Sequence, residues 1–214
     1  MLINPACHCT GIMPGRQGFK ISELASCMNI PWGSDIANRF ITNVGLVTTN
    51  GIHGHNIMAC EWTYHLSYGP GLIGVSVNQR HATHTQIKET KEFGVCIAST
   101  SQSVLSSIAG KGSGKIFDKI KVARELGFKF SPAKNINVMM PEGAAVNLEC
   151  KLFNEISLGD HTLFVGEVIE GSVNPEEKPL AYHSGRYWDM VDALEKPSAE
   201  LREKMKALIE QHVK

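Results

Sequence analysis

The chain has 214 residues, 43% hydrophobic and 20% charged, enough to bury one substantial core, so a single domain is expected. Lys+Arg and Asp+Glu each number 21, and this balance excludes a bulk electrostatic attraction to nucleic acid or anionic lipid; any anion must be met by a local site. The opening MLINPACHCTG lacks the basic-then-apolar order of a signal peptide, and no apolar run approaches the roughly 18 residues of a membrane span, which points to a cytoplasmic protein with no membrane partner.

Near the start, Cys7-His8-Cys9 is the one grouping that looks like metal ligands. Its spacing is shorter than a zinc knuckle and no second pair follows, so no metal site is assigned and residues 1–40 are read as an N-terminal extension. Cys60, Cys96 and Cys150 lie inside apolar segments and read as small buried hydrophobes rather than as a disulfide framework.

Strand patterns dominate. Val44–Thr49, Asn56–Tyr64, Gly71–Val77, Phe93–Ala98, Ala144–Ile156 and His161–Val173 are apolar or alternating, and turn signals at Asn50-Gly51, Gly69-Pro70-Gly71 and Leu158-Gly159-Asp160 separate several of them. The alternation breaks around Gly166, which predicts a bulge there. Helices are fewer. Thr83 followed by Gln86 fits a capping box and predicts a helix to about Lys91; Ser99 followed by Gln102 repeats the pattern before a helix ending at Gly110. A third helix, 198–212, starts with Ser198 as N-cap and carries Leu201, Met205 and Leu208 as an apolar stripe. Strands joined mainly by hairpins, with a few peripheral helices, predict a mainly β fold, an antiparallel barrel.

The segment NQRHATHTQ, Asn78–Gln86, lies between a strand and the first turn of a helix, where free backbone N–H groups and the positive end of the helix dipole favour an anion. Arg80 can grip a phosphate with two prongs, and Thr83 or Thr85 can add a hydroxyl; the alternative is a plain cap with solvated basic residues. The glycine-rich GKGSGK, Gly110–Lys115, is no Walker A loop, because Ala109 replaces its first glycine and Ile116 its magnesium-binding hydroxyl. Neither GxGxxG after a strand nor GxSxG is present.

Taken in order, VGLVTTNGIHGHNIMACEWTYHLSYGPGLIGVSVNQRHATHTQ, GDHTLFVGEV and PLAYHSGRYW resemble the flavin reductase-like proteins with an FMN-binding split β-barrel, nearest the flavoredoxin and ferric reductase branch. The resemblance runs from about Val44 to Trp188. It implies a Greek-key antiparallel barrel, a homodimer and one FMN per subunit near the dimer interface. It further implies that Asn56, Ile57, Met58 and Ala59 lie along the flavin ring, that Arg80 and Thr83 take the phosphate, and that His161 is the catalytic candidate beside the reactive face. The alternative for His161 is a histidine that ends the turn after Asp160. Lys119 resembles a family lysine near the partner subunit, with no contact assigned. Ser67-Tyr68-Gly69-Pro70-Gly71 departs from the two prolines of many relatives.

Three functional classes follow. The first is an enzyme that uses NADH or NADPH to reduce bound FMN and passes the electrons to free flavin, ferric iron or a partner protein. The second is an FMN-binding electron carrier that never meets the nicotinamide, and the third a barrel without cofactor.

Overall fold

The computed structural model describes residues 28–213; Cys7-His8-Cys9 lies outside the described residues. A short strand β1 (Ile41–Asn43) leads into β2 (Gly45–Thr49), β3 (Asn56–Cys60), β4 (Thr63–Ser67) and β5 (Leu72–Asn78). Helix α1 (Ala82–Thr90) and strand β6 (Glu92–Ile97) follow, then α2 (Ser103–Gly110) and α3 (Lys119–Glu125). A small hairpin, β7 (Phe130–Pro132) and β8 (Met139–Pro141), precedes the long strands β9 (Val146–Leu158) and β10 (His161–Val173). Strands β11 (Ala181–His183) and β12 (Arg186–Trp188) and helix α4 (Ala199–Gln211) come last.

Seven strands form one sheet in the order β3-β2-β6-β9-β10-β5-β4, antiparallel at every pairing. Its two edge strands, β3 and β4, are separated in the chain by Glu61 and Trp62 alone. A two-residue link reaches no farther than about 10 Å, so the sheet has to roll until its edges approach. The closure shows in two contacts. Cys60 Sγ of β3 donates to Ser76 O of β5 at 3.5 Å, and a Cβ placed on Gly45 of β2 would run into Thr63 Oγ1 of β4. Strand β3 has no ladder with β4, so the barrel is split there.

Both faces of the rolled sheet are covered. Val47, Met58, Val95, Phe93 and Phe164 pack into one core, while their chain neighbours Leu46, Ile57 and Cys96 join Leu105, Ala109, Ile120 and Ala123 of the helices in another. Period-two alternation sends successive residues to opposite cores, so every residue of β2 is buried, Thr48 and Thr49 included. The expected bulge is present: the β9–β10 register shifts at Val165/Gly166, where a Cβ would meet the Phe93 ring at 2.5 Å. At the second predicted cap, Ser99 N–H donates to Gln102 Oε1 at 3.1 Å, and Ser198 Oγ accepts from Leu201 N at 3.2 Å at the head of α4.

Three expectations need correction. The run Asn56–Tyr64 is two strands, broken at the Glu61-Trp62 corner. Helix α1 starts two residues earlier than read, with His81 at the N-cap in extended backbone and Thr83 buried inside the first turn. Gln86 accepts from Thr49 Oγ1 at 2.9 Å and donates to Gly54 O at 2.6 Å, so non-local partners take both residues of the expected capping box. Helix α3 went unread altogether. Among the described residues no helix is long and apolar enough to cross a membrane.

Candidate functional site

Strand β3 pairs on one side only, with β2, which leaves alternate backbone N–H and C=O groups of Asn56–Cys60 without a sheet partner. An edge of this kind can bond the polar rim of a flat heterocycle. The side chains of Ile57 and Met58 are buried in the two separate cores, Ile57 fully and Met58 with 7% exposed. Along its free edge the strand presents backbone, with half-buried Ala59 beside Gly110.

The end of β3 meets the start of α1. Asn56 Nδ2 donates to Thr83 Oγ1 at 3.0 Å, while Asn56 Oδ1 is buried without a partner. Gly114, from the glycine-rich stretch that failed as a Walker A loop, packs on that amide: a Cβ there would stand 2.2 Å from Asn56 Oδ1. The N-cap residue His81 gives no side-chain cap, so the first-turn N–H groups of this nine-residue helix keep their need for an acceptor.

Basic groups from three elements converge on this helix start. Lys119 of α3 is 3% exposed, its ammonium donates to Ala109 O at 2.6 Å, and burial holds its pKa down to about 8. Burial also lowers the His81 pKa, and the charges of Lys119, His161 and Lys115 lower it further. Arg80 is exposed in the turn before α1, its backbone N–H donating to Asn78 Oδ1 at 3.1 Å.

The β5–β10 register brings the remaining candidate to the same place. His161 is the partner of Asn78 across that ladder, and its Nδ1 lies 2.8 Å from Asp160 Oδ1. The Asp160 carboxyl accepts from Asn78 Nδ2 at 3.2 Å, and its pKa is held below the usual range, chiefly by the His161 hydrogen bond. The His161 ring lies 4.8 Å from that of Trp62, tilted by 50°, so it touches the corner between β3 and β4. His84 is spent elsewhere, with Nε2 3.0 Å from Thr162 Oγ1 and its ring edge-on to Phe164.

Of the residues singled out in the sequence, the fold brings Asn56 to Thr83 and His161 to Asn78, two residues before Arg80. Sequence reasoning assigned no contact to Lys119, His81 or Gly114. Asp118, whose carboxylate accepts from Lys121 N at 2.9 Å, was the available signal for the helix that carries Lys119. No group of three or more metal-ligating side chains occurs among the described residues.

A split antiparallel barrel with a free edge strand running into a basic helix start defines a protein able to hold a flat ring at one end and an anion at the other. The chain belongs to the flavin reductase-like domain family, whose model matches residues 37–190. It is 29% identical over 155 residues to an NADH-dependent flavin reductase of Rhodococcus sp, covering 70% of this chain and 80% of that protein. It is 27% identical over 121 residues to a ferric-chelate reductase (NAD(P)H) of Archaeoglobus fulgidus, covering 56% and 68%. Its fold matches an FMN-binding protein from Thermus thermophilus with a TM-score of 0.68 at 22% identity, over 81% of this chain and 99% of that one. An NADH:FAD oxidoreductase of Streptomyces globisporus matches with a TM-score of 0.67 at 21% identity, over 73% and 90%.

Proposed function

We propose that this protein is an NAD(P)H-dependent flavin reductase that binds FMN along β3 and at the start of α1. The observation that carries the reading is the gathering of Arg80, His81, Lys115 and Lys119 around an uncapped helix start, beside a free strand edge. Like charges brought together in a part-buried site are stabilised by an anion, and a ring ending in a phosphate satisfies both halves. When bound, the flavin supplies hydride acceptance and its return to an acceptor.

The chain's own share is to bind and orient. The backbone of Asn56–Ala59 meets the ring rim, Arg80 and the α1 N–H groups hold the phosphate, and Thr83 and Gly114 fix the Asn56 amide. His161 stands at the corner of β3 and β4 and is the group able to donate a hydrogen bond to the ring edge or to the amide of the nicotinamide. The relatives named for NADH-dependent flavin reduction favour an enzyme over a carrier. The acceptor of the electrons that the group would supply is free flavin, ferric iron or a partner protein.

We further infer a cytoplasmic, single-domain chain, with residues 1–40 as an extension and 198–212 as a C-terminal helix, acting as a homodimer. Trp62, Tyr64, Leu66 and Tyr68 of the β4 edge are exposed, as are Phe153 and Ile156 of β9, an apolar area that a second copy covers. Light scattering of the FMN-loaded protein gives twice 23.4 kDa under this reading; a monomer mass overturns it. Titration with FMN and riboflavin tests the cofactor assignment, with FMN binding the tighter by at least about tenfold, the scale of a charge-assisted contact. Equal affinities refute the phosphate site.

A further inference from the structure

The turn between β2 and β3 carries an asparagine followed by a glycine on an open face of the molecule. Asn50 and Gly51 are partly exposed and Ile52 beyond them is 70% exposed, so water reaches the peptide bond that joins the pair. Gly51 N–H donates to Asn50 Oδ1 at 3.0 Å, the side chain bending back onto the next amide of its own chain. The nitrogen thus lies beside the carboxamide, and a rotation about Cβ–Cγ, a broad torsion, turns the face of the carbonyl carbon toward it.

Packing fixes glycine at this position. A Cβ on Gly51 would stand 3.1 Å from both Gln86 Cγ and Glu89 Oε2 of α1. The residue that lets the turn lie against α1 is therefore the one that leaves its own nitrogen unshielded and its backbone free to rotate. Asn154 supplies the contrast. Glu155 N–H donates to Asn154 Oδ1 at 2.8 Å, the same contact, but that amide belongs to a residue with a side chain and sits within the β9–β10 ladder.

We propose that Asn50-Gly51 is a site of spontaneous covalent modification, deamidation through a cyclic imide, which loosens the β2–β3 hairpin. Gly51 N gives its proton to a solvent base and bonds to Asn50 Cγ; the Cγ–Nδ2 bond breaks and the nitrogen leaves as ammonia. Water then opens the ring at either carbonyl and leaves an aspartate or an isoaspartate, so water is the one co-reactant. Both products place a new carboxylate next to Glu89, whose Oε2 accepts from Ile52 N at 3.4 Å, and like charges there repel. The isoaspartate also lengthens the main chain between two points that Gln86 holds to α1, the Thr49 hydroxyl at 2.9 Å and Gly54 O at 2.6 Å. Thr49 pairs with Asn56 across the ladder, so a displaced turn is felt at the start of β3. The effect on FMN rests on the proposed flavin site; the modification does not.

The test is to age the full-length protein at mildly alkaline pH and to follow its peptides by mass spectrometry. The peptide holding Asn50 should gain the mass of an amide turned into an acid at least about tenfold faster than the one holding Asn154, with isoaspartate among the products and a rate that rises with pH. Aged protein should melt lower than fresh protein and bind FMN several-fold more weakly. No gain at Asn50, or a gain no faster than at Asn154, overturns the site. A gain with an unchanged melting temperature overturns the loosening of the hairpin, as does a fall of the same size on ageing Asn50→Ser. If neither fresh nor aged protein binds FMN, the flavin assignment fails, while the mass gain still decides the modification.

Discussion

The Asn56 side-chain amide donates to the Thr83 hydroxyl at 3.0 Å and so ties the first residue of the free strand edge to the first turn of α1. Both groups are buried, so losing one partner leaves the other unpaired at a cost of about 1–3 kcal/mol. Thr83→Val keeps the shape and deletes the acceptor. Urea unfolding should show a loss of that size, whereas Thr83→Ser, which keeps the hydroxyl, should recover most of it.

Gly114 seals the same amide. An added methyl would stand 2.2 Å from Asn56 Oδ1, and neither the buried amide nor the loop backbone can yield cheaply. Gly114→Ala is expected to weaken FMN binding at least several-fold by displacing the loop from Asn56. Gly54→Ala, at a positive-φ glycine with open space around it, should cost stability through backbone strain and leave FMN affinity alone.

Arg80 is exposed, so its removal should spare the fold. Arg80→Ala is expected to weaken FMN by about 1.5–3 kcal/mol and riboflavin hardly at all. A loss of circular dichroism on the same scale would assign Arg80 a structural role instead.

Lys119 gives a pH signature. Its folded pKa of about 8 lies below its ordinary 10.5, so between those values the unfolded chain binds the extra proton and stability rises with pH. Below about pH 8 both states carry the charge and the burial penalty is present in full. Lys119→Met should remove this rise, leave the melting temperature at neutral pH equal or higher, and weaken FMN. The difference between the two curves is the quantity to plot, because buried Cys60, Cys96 and Cys150 have raised pKa values and tilt stability the opposite way.

The strands were legible because β2, β5 and β6 carry period-two or unbroken apolar runs whose burial needs no knowledge of neighbours. The corner at Glu61-Trp62 was not, since GluTrpThrTyr continues a strand-like pattern and the break comes from closing the sheet. Thr83 was given the wrong local role: it bonds Asn56 inside the first turn of α1 and does not cap it. A threonine followed by a glutamine three residues on looks the same whether it caps its own helix or bonds Asn56, 27 residues earlier in the chain. The buried setting of Lys119 was equally hidden: its burial depends on α3 docking against α2, a tertiary event.

His161 separates two roles in one variant. If it donates to the ring edge or the nicotinamide, His161→Ala should slow flavin reduction by roughly 10–1000-fold with melting temperature and FMN affinity little changed. An unchanged rate with a lowered melting temperature would make it a residue that holds the Asp160 turn.

The most direct measurement is anaerobic stopped-flow mixing of the FMN-loaded protein with NADH and with NADPH, followed by the flavin absorbance near 450 nm. A reductase bleaches that band in a phase whose rate rises with nicotinamide concentration and saturates, faster than free FMN under the same conditions. Bleaching no faster than free FMN with either nucleotide would contradict the reductase assignment and leave an electron carrier.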